Sequence, residues 1–389
     1  MISKINKILR MIRNSFIEFL QRPVVVNASL SIDKTGEVYH SNWGDDINSF
    51  FLEAISLRPV VLYHECILAK LFKRDNYVVI GSTIDMLVNR QSIVWGAGLI
   101  QENPCNLVMP RKICAVRGPK TREVLLKHGI ECPAIYGDPA LLLPIYYRPR
   151  TRKKYKLGII PHYTELSLLP EHLLNSEDVY VIRIQGYQHW LGFVEELNAC
   201  EYIVSSSLHG LILSEAYDIP NCWMELECAQ QRSRFKYDDF YASIGKQIVS
   251  PFVMNKEVTV QQLIEQCQQW SPGTIDLQPL LNACPFEFKK SKIINCTKKM
   301  QKIIIQSIEK ELPNRLLYRL TVGDQQEEAH IEVDKMYADY LVTDRIDSLV
   351  WGLLQFAINK GYDIESALPI TEDLWYNLEM NLIDPLAAN

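Results

Sequence analysis

No stretch of the 389-residue chain approaches the roughly 20 consecutive apolar residues that a membrane-spanning helix needs. The N-terminus also lacks the short apolar core and small-residue cleavage site of a secretory signal, so a cytoplasmic location is expected. Ten cysteines are present, but no two form a Cys-x-x-Cys pair and none has clustered histidine partners. Neither a metal centre nor a disulfide framework is expected, and the cysteines read as small buried hydrophobes in a reducing compartment. Positive charge is not in excess either: 41 Lys and Arg against 46 Asp and Glu leave a formal charge of −5, which argues against a nucleic-acid partner.

What the chain does have is 48% hydrophobic and 22% charged residues, the balance of a soluble globular protein with room for two cores. From residue 24 to about 140, β-rich apolar runs alternate with helical patterns. The expected strands are Val24–Val26, Val60–Tyr63, Tyr77–Ile80, Ser92–Trp95, Ile113–Val116 and Ala134–Tyr136, and the expected helices run over about 46–56 and 119–128. Residues 145–156, basic and proline-containing, read as a linker. A second alternation follows, with strands at Leu157–Ile160, Val179–Ile184 and Tyr202–Val204, a helix over about 191–199, and another after Gly210. Parallel sheets covered by helices are expected in both halves. The fold class is therefore α/β, with two Rossmann-like domains facing a cleft in the GT-B manner and a mostly helical C-terminal region. Residues 1–23 are expected to form an amphipathic helix, with Lys4, Lys7, Arg10 and Arg13 among apolar positions, able to lie on a membrane inner surface or to pack as an ordinary terminal helix. The expected domains are 24–150, 151–285 and a C-terminal region 286–389 without legible chemistry.

Residues 201–220 are the most informative stretch: a strand ending at Val204, three serines, His209, and Gly210 before a helix expected to begin near Leu211. Hydroxyls, free helix N–H groups and an imidazole converging at one turn suit an anionic ligand and a proton transfer, although serines also simply cap helices. Asn42-Trp43-Gly44-Asp45-Asp46 precedes the first long helix, with one aspartate expected to cap it and the other free to act as a base. Gly81-Ser82-Thr83-Ile84-Asp85 and Trp95-Gly96-Ala97-Gly98 fall at strand ends, where glycines let backbone approach a ligand. Arg117-Gly118-Pro119-Lys120-Thr121-Arg122 opens a helix with three cations, in conflict with the helix dipole unless they hold an anion. Arg117 is the candidate for a bidentate grip on that anion. His162 is a second candidate for proton transfer and Trp190 for stacking on a sugar ring, whereas Asp138-Pro139 reads as a rigid turn.

Together these motifs, with Ser214-Glu215-Ala216 and Phe235–Phe240, resemble the polysaccharide pyruvyl transferase family over about residues 40–248. The resemblance implies transfer of a pyruvyl group from phosphoenolpyruvate to two hydroxyls of a sugar in a surface polysaccharide or a lipid-linked precursor, forming a cyclic ketal and releasing phosphate. No cofactor beyond that donor is implied. It also implies that Arg117, Leu208 and His209 contact the donor, with His209 as acid. An arginine common before Leu-His is Ser207 here, and Arg122, Arg183, Arg234 and Lys236 are candidate replacements. His162, Asp45 or Asp85 would supply a base, and Ser206, Ser207, Gly210, Gly81, Ser82, Gly96 and Gly98 the remaining substrate contacts. Two other readings share the fold: a glycosyltransferase using a nucleotide sugar, and a catalytically silent scaffold.

Overall fold

A computed structural model of the protein describes residues 23–30, 41–56, 58–147, 149, 151–187, 190–229, 233–247, 249–286 and three strands within 303–332. The expected N-terminal helix, apart from Pro23, and most of the C-terminal region 286–389 lie outside these residues. In the first half five strands, β1 (Val24–Val26), β2 (Val60–Leu62), β3 (Asn76–Val78), β4 (Ser92–Trp95) and β5 (Lys112–Ala115), form a parallel sheet in the order β2-β1-β3-β4-β5. In the second half β6 (Tyr155–Ile160), β7 (Val179–Val181), β8 (Cys200–Ser205), β9 (Asn221–Leu226) and β10 (Phe252–Met254) form another parallel sheet, ordered β10-β9-β8-β6-β7. Counted within each half, both orders read 2-1-3-4-5. Near-continuous apolar strands such as Val24–Val26 and Val60–Leu62 are what such sheets require, being covered on both faces.

Both sheets belong to one compact unit. Helix α1 (Trp43–Ser56) of the first half packs on α3 (Trp190–Asn198) of the second, where Trp43 stacks on Phe193 at 4.9 Å and Phe50 on Trp190 at 6.0 Å. Trp43 Nε1 also donates to Trp190 O at 2.8 Å. Trp190 is therefore core and not a platform for a sugar. Helix α2 (Pro119–Lys127) packs on α5 (Phe235–Ser243), and α4 (Leu208–Ala216) packs on the turn at 139–142. The end of the second half returns to the first: Trp95 Nε1 donates to Leu280 O at 2.9 Å, and Phe286 packs on Tyr77 and Trp95.

Local differences from the expected elements have local causes. α1 begins at Trp43, three residues early, because Asn42 caps it; Asn42 Oδ1 accepts from the Gly44 N–H, and Asp46 returns the contact by accepting the Asn42 N–H at 3.2 Å. The expected strand 134–136 shrinks to a single bridge between Val116 and Tyr136. Tyr155 and Lys156, expected in the linker, open β6. Cys105 and Cys228 are exposed, whereas Cys66, Cys114, Cys132, Cys200 and Cys267 are buried as expected. No helix among the described residues is long and apolar enough to cross a membrane.

The mostly helical C-terminal region is corrected over residues 303–332. A second compact unit there holds an antiparallel sheet of β11 (Ile303–Leu312), β12 (Arg315–Val322) and β13 (Gln325–Glu332). The β-branched run Ile303-Ile304-Ile305 favours strand over helix. Pro313-Asn314 and Gly323-Asp324 are two-residue breaks of hairpin length, a signal that a helical reading of the lysine-rich segment overlooks.

Candidate active site

In a 2-1-3-4-5 sheet the order reverses between the first and third strands, and ligands bind outside the carboxyl ends at that point. In the second half the two strands are β6 and β8. They deliver Pro161-His162 and Ser206–His209 side by side: Ser206 N–H donates to Ile160 O at 3.1 Å, and the His162 N–H donates to Ser206 Oγ at 2.9 Å. Ser206 Oγ in turn donates to the buried Glu165, and Tyr237 OH donates to Ser206 O at 2.7 Å. Ser206, expected to bind substrate, is thus held by the protein's own groups. α4 starts at Leu208, so His209 and Gly210 lie within its first turn, with Ser207 as an N-cap that makes no side-chain cap bond. The glycine at 210 is required by close approach, since a Cβ there would sit 2.3 Å from Ser205 Oγ.

The His209 ring lies against the first turn of α1, where a Cβ on Gly44 would fall 1.9 Å from its Nδ1. Its Nε2 faces Asp138 Oδ2 at 3.9 Å. Both atoms are buried and neither has a hydrogen-bond partner. The other Asp138 oxygen caps the turn at 139–142 by accepting from the Ala140 N–H at 3.0 Å. Burial raises the Asp138 carboxyl to about 7. Burial, then the Lys236 and Arg117 charges, lower His209 to about 3. Glycines fix this aspartate in place: Gly137 has φ +130 and Gly96 φ +89, and a Cβ on Gly96 would strike the Pro139 ring at 2.2 Å. Gly96 therefore admits protein and not ligand. The rigid turn expected at Asp138-Pro139 is present, and it also carries a buried carboxyl oxygen without a partner beside His209, which its place before a proline does not signal.

The expected division of the two aspartates of α1 into a cap and a free base is corrected: Asn42 is the cap, and both aspartates accept hydrogen bonds. Asp46 is buried and accepts from Tyr187 OH at 2.8 Å, and burial raises it to about 7. Asp45 holds the Asn42 amide at 2.7 Å and approaches Gly81, where a Cβ would lie 3.3 Å from Asp45 Oδ1. Burial raises Asp45 to about 6, against the lowering effects of the Asn42 hydrogen bond and the Lys236 charge. Lys236 is the one candidate replacement for the absent arginine whose charge acts on both Asp45 and His209. Arg234 instead pairs with Glu225, Arg183 is exposed, and Arg122 donates to Cys132 O.

Arg117 differs most from its expected place. Its side chain is 0% exposed. Nε donates to Asp239 Oδ2 at 3.0 Å, one terminal nitrogen to Ser82 Oγ at 2.6 Å and the other to Leu99 O at 2.7 Å. Gly98 leaves the space that the guanidinium fills. Asp239 also accepts the Thr121 N–H at 2.8 Å and the Thr121 hydroxyl at 2.7 Å, so a carboxylate from α5 caps α2. The anion that three cations at this helix terminus called for is internal. Gly81, Ser82 and Gly98 accordingly meet protein groups. Asp85 has one buried carboxyl oxygen without a partner, and burial raises its pKa. The His162 ring contacts Thr164 Oγ1 at 3.1 Å and Tyr163.

Beside Ser206, at the carboxyl end of β9, a cavity of about 330 Å³ is lined by Glu165, Trp223, Glu225, Glu227 and Tyr237 among others. Trp223 stacks on Tyr237 at 4.4 Å. Among the described residues no three His, Cys, Asp or Glu side chains group as metal ligands do.

Two parallel five-stranded halves of one strand order, with titratable groups from both brought together at Asp138 and His209, place the chain in the α/β class. Residues 39–226 match the model of the polysaccharide pyruvyl transferase family. Two curated relatives are similar. The uncharacterized protein L143 of Acanthamoeba polyphaga mimivirus is 27% identical over 191 residues, 48% of this chain and 64% of that protein. The succinoglycan biosynthesis protein ExoV of Rhizobium meliloti (strain 1021) is 24% identical over 213 residues, 54% of this chain and 63% of that protein. The chain thus spans a little under two thirds of the length of these relatives. No solved structure matches it.

Proposed function

We propose that the protein transfers the pyruvyl group of phosphoenolpyruvate to two hydroxyls of a sugar during polysaccharide synthesis, in a GT-B-type cleft. The observation that carries the reading is His209, buried at the second switch point, beside Asp138 and in the field of Lys236 and Arg117. The match to the family model over residues 39–226 supports it. So does a relative named for the synthesis of a polysaccharide.

The chemistry needs an acid, an anion clamp and a base. His209 protonates the methylene carbon of the enol phosphate, leaving an oxocarbenium-like centre at the adjacent carbon. A sugar hydroxyl attacks that carbon and gives its proton to Asp45, whose raised pKa suits a base near neutrality. Cleavage of the bond between that carbon and the phosphate oxygen then releases phosphate, and the second hydroxyl closes the ketal as its proton leaves with the phosphate. Lys236 and the N–H groups of Leu208, His209 and Gly210 at the start of α4 bind the phosphate. Arg117, sealed from solvent and held by Asp239, Ser82 and Leu99, contributes its charge to the field of the site and no direct contact. The 330 Å³ cavity lies at the small end of ligand pockets, which run from about 300 to 1,000 Å³, and is assigned to the acceptor sugar, with carboxylates to hold hydroxyls.

Calorimetric titration of the purified protein with phosphoenolpyruvate, beside a panel of nucleotide sugars, tests this reading. Saturable binding of phosphoenolpyruvate that weakens in Lys236→Ala, and turnover abolished in a folded His209→Ala, are expected. Binding of a nucleotide sugar alone would replace the proposal with glycosyl transfer.

A further inference from the structure

A buried carboxyl oxygen and a buried imidazole nitrogen, both without partners and 3.9 Å apart, form an unusual pair, because an unmade hydrogen bond at a buried polar group costs about 1–3 kcal/mol. We propose that Asp138 is the positioning residue for His209 and that the two share one proton, which crosses from Asp138 Oδ2 to His209 Nε2 when an anionic donor enters. The role of His209 as acid rests on the function proposed above; the pairing itself does not.

The placement of the two groups is over-determined. Asp138 is held by its bond to the Ala140 N–H and by Gly137 and Gly96 in left-handed conformations. His209 is held by the first turn of α4 and by the surface of Gly44. The gap of 3.9 Å closes to hydrogen-bond length with a shift of about 1 Å. The charged groups that act on the pair are Arg117, at the end of β5, and Lys236, on α5, both cationic. With no anion bound they oppose a proton on His209, and burial keeps Asp138 protonated up to about neutral pH. A phosphate and a carboxylate entering between the two cations reverse that field. The O–H bond of Asp138 then breaks, the N–H bond at Nε2 forms, and a buried carboxylate faces an imidazolium. His209 passes its other proton, at Nδ1, to the methylene carbon and is left neutral with its Nε2–H held by Asp138. Asp45 returns to solvent the proton it took from the attacking sugar hydroxyl, and the pair takes one proton back from solvent as product leaves, so protons balance over the turnover and no external co-reactant enters.

The neutral tautomer is the direct readout, and it needs no donor. With Asp138 donating to Nε2, nitrogen-15 spectra of His209 in the unliganded protein at pH 6 show the proton on Nδ1. A proton on Nε2 overturns the proposal. Asp138→Asn keeps an acceptor for the Ala140 N–H but cannot release a proton. It lowers kcat about 100-fold, with KM for phosphoenolpyruvate nearly unchanged, and removes the limb of the kcat profile near pH 7. A wild-type pH profile in that variant overturns the proposal equally. Calorimetry in two buffers of different ionisation enthalpy shows proton uptake on phosphoenolpyruvate binding at pH 7.5, less in Asp138→Asn; equal uptake in both proteins rejects the shared proton. A Nδ1 tautomer without any phosphoenolpyruvate binding would keep the pairing and reject only the donor.

Discussion

The two halves of the protein share one strand order but contribute opposite things to the site. The first supplies Asp45, Asp138 and Arg117 from the ends of its strands and the start of α1, all held by backbone or by buried side-chain partners. The second supplies His209 and Lys236 from the first turns of two helices. Neither half is complete, because His209 and Arg117 are each set by the opposite half: Gly44 shapes the seat of His209, and Asp239 caps α2 and holds Arg117. A repeated topology therefore yields one site and not two, since the polar partners run across the repeat.

Breaking the strongest of these cross-links has the largest expected effect. Asp239→Ala leaves the Arg117 charge buried and unpaired and uncaps α2, and is expected to lower unfolding free energy by about 3–5 kcal/mol in urea denaturation. The double change Arg117→Met with Asp239→Leu recovers a large part of that loss if charge burial is its cause. Gly44→Ala separates position from stability. Alanine at an exposed helix site would stabilise by about 0.5–1 kcal/mol, but here its Cβ drives into the His209 ring, and a displacement of about 1 Å is expected to lower turnover about 100-fold with little change in melting temperature.

Within the second half alone, Glu215 binds Lys246 Nζ, Trp270 Nε1, the Asn221 amide and the Gly273 N–H. Glu215→Gln is expected to cost about 1–3 kcal/mol without touching donor affinity, measured by denaturation and calorimetry together. A further effect is a pH dependence at the contact between the halves, where Tyr187 meets Asp46. Asp46 has a folded pKa raised to about 7, so the native state binds its proton more tightly than the unfolded chain. Its contribution to stability is fully present below the unfolded value near 4 and is lost as pH rises through about 7. Asp46→Asn should flatten the fall of melting temperature between pH 5 and pH 8, and an unchanged slope would assign that dependence elsewhere.

Legibility in the sequence followed the range of the interaction. Both parallel sheets, the two-fold α/β alternation, and the helices at 119–127 and 190–198 were readable because apolar periodicity is local. The helix starts at Trp43 and Leu208 were read late, as caps and first turns carry no periodic signal. The strands at 303–332 were read as helix because a short apolar run satisfies both periods. In the site, His209, Asp45 and Arg117 stood out by type and position. Asp138 and Asp239 did not, because an aspartate before proline or inside a helix has an ordinary local explanation.

By itself the sequence determined the class of the fold, the strand-to-helix junctions where polar residues gather, and the family resemblance that the match over residues 39–226 bears out. Tertiary structure alone decided which charges are used up inside the protein and which are left unpartnered. Arg117 looked like a free clamp and is bound to Asp239, 122 residues away; Asp138 looked like a turn and faces His209. The reason is physical: periodicity and capping act within a few residues, whereas desolvation and ion pairing depend on what distant segments of the chain bring to the same point.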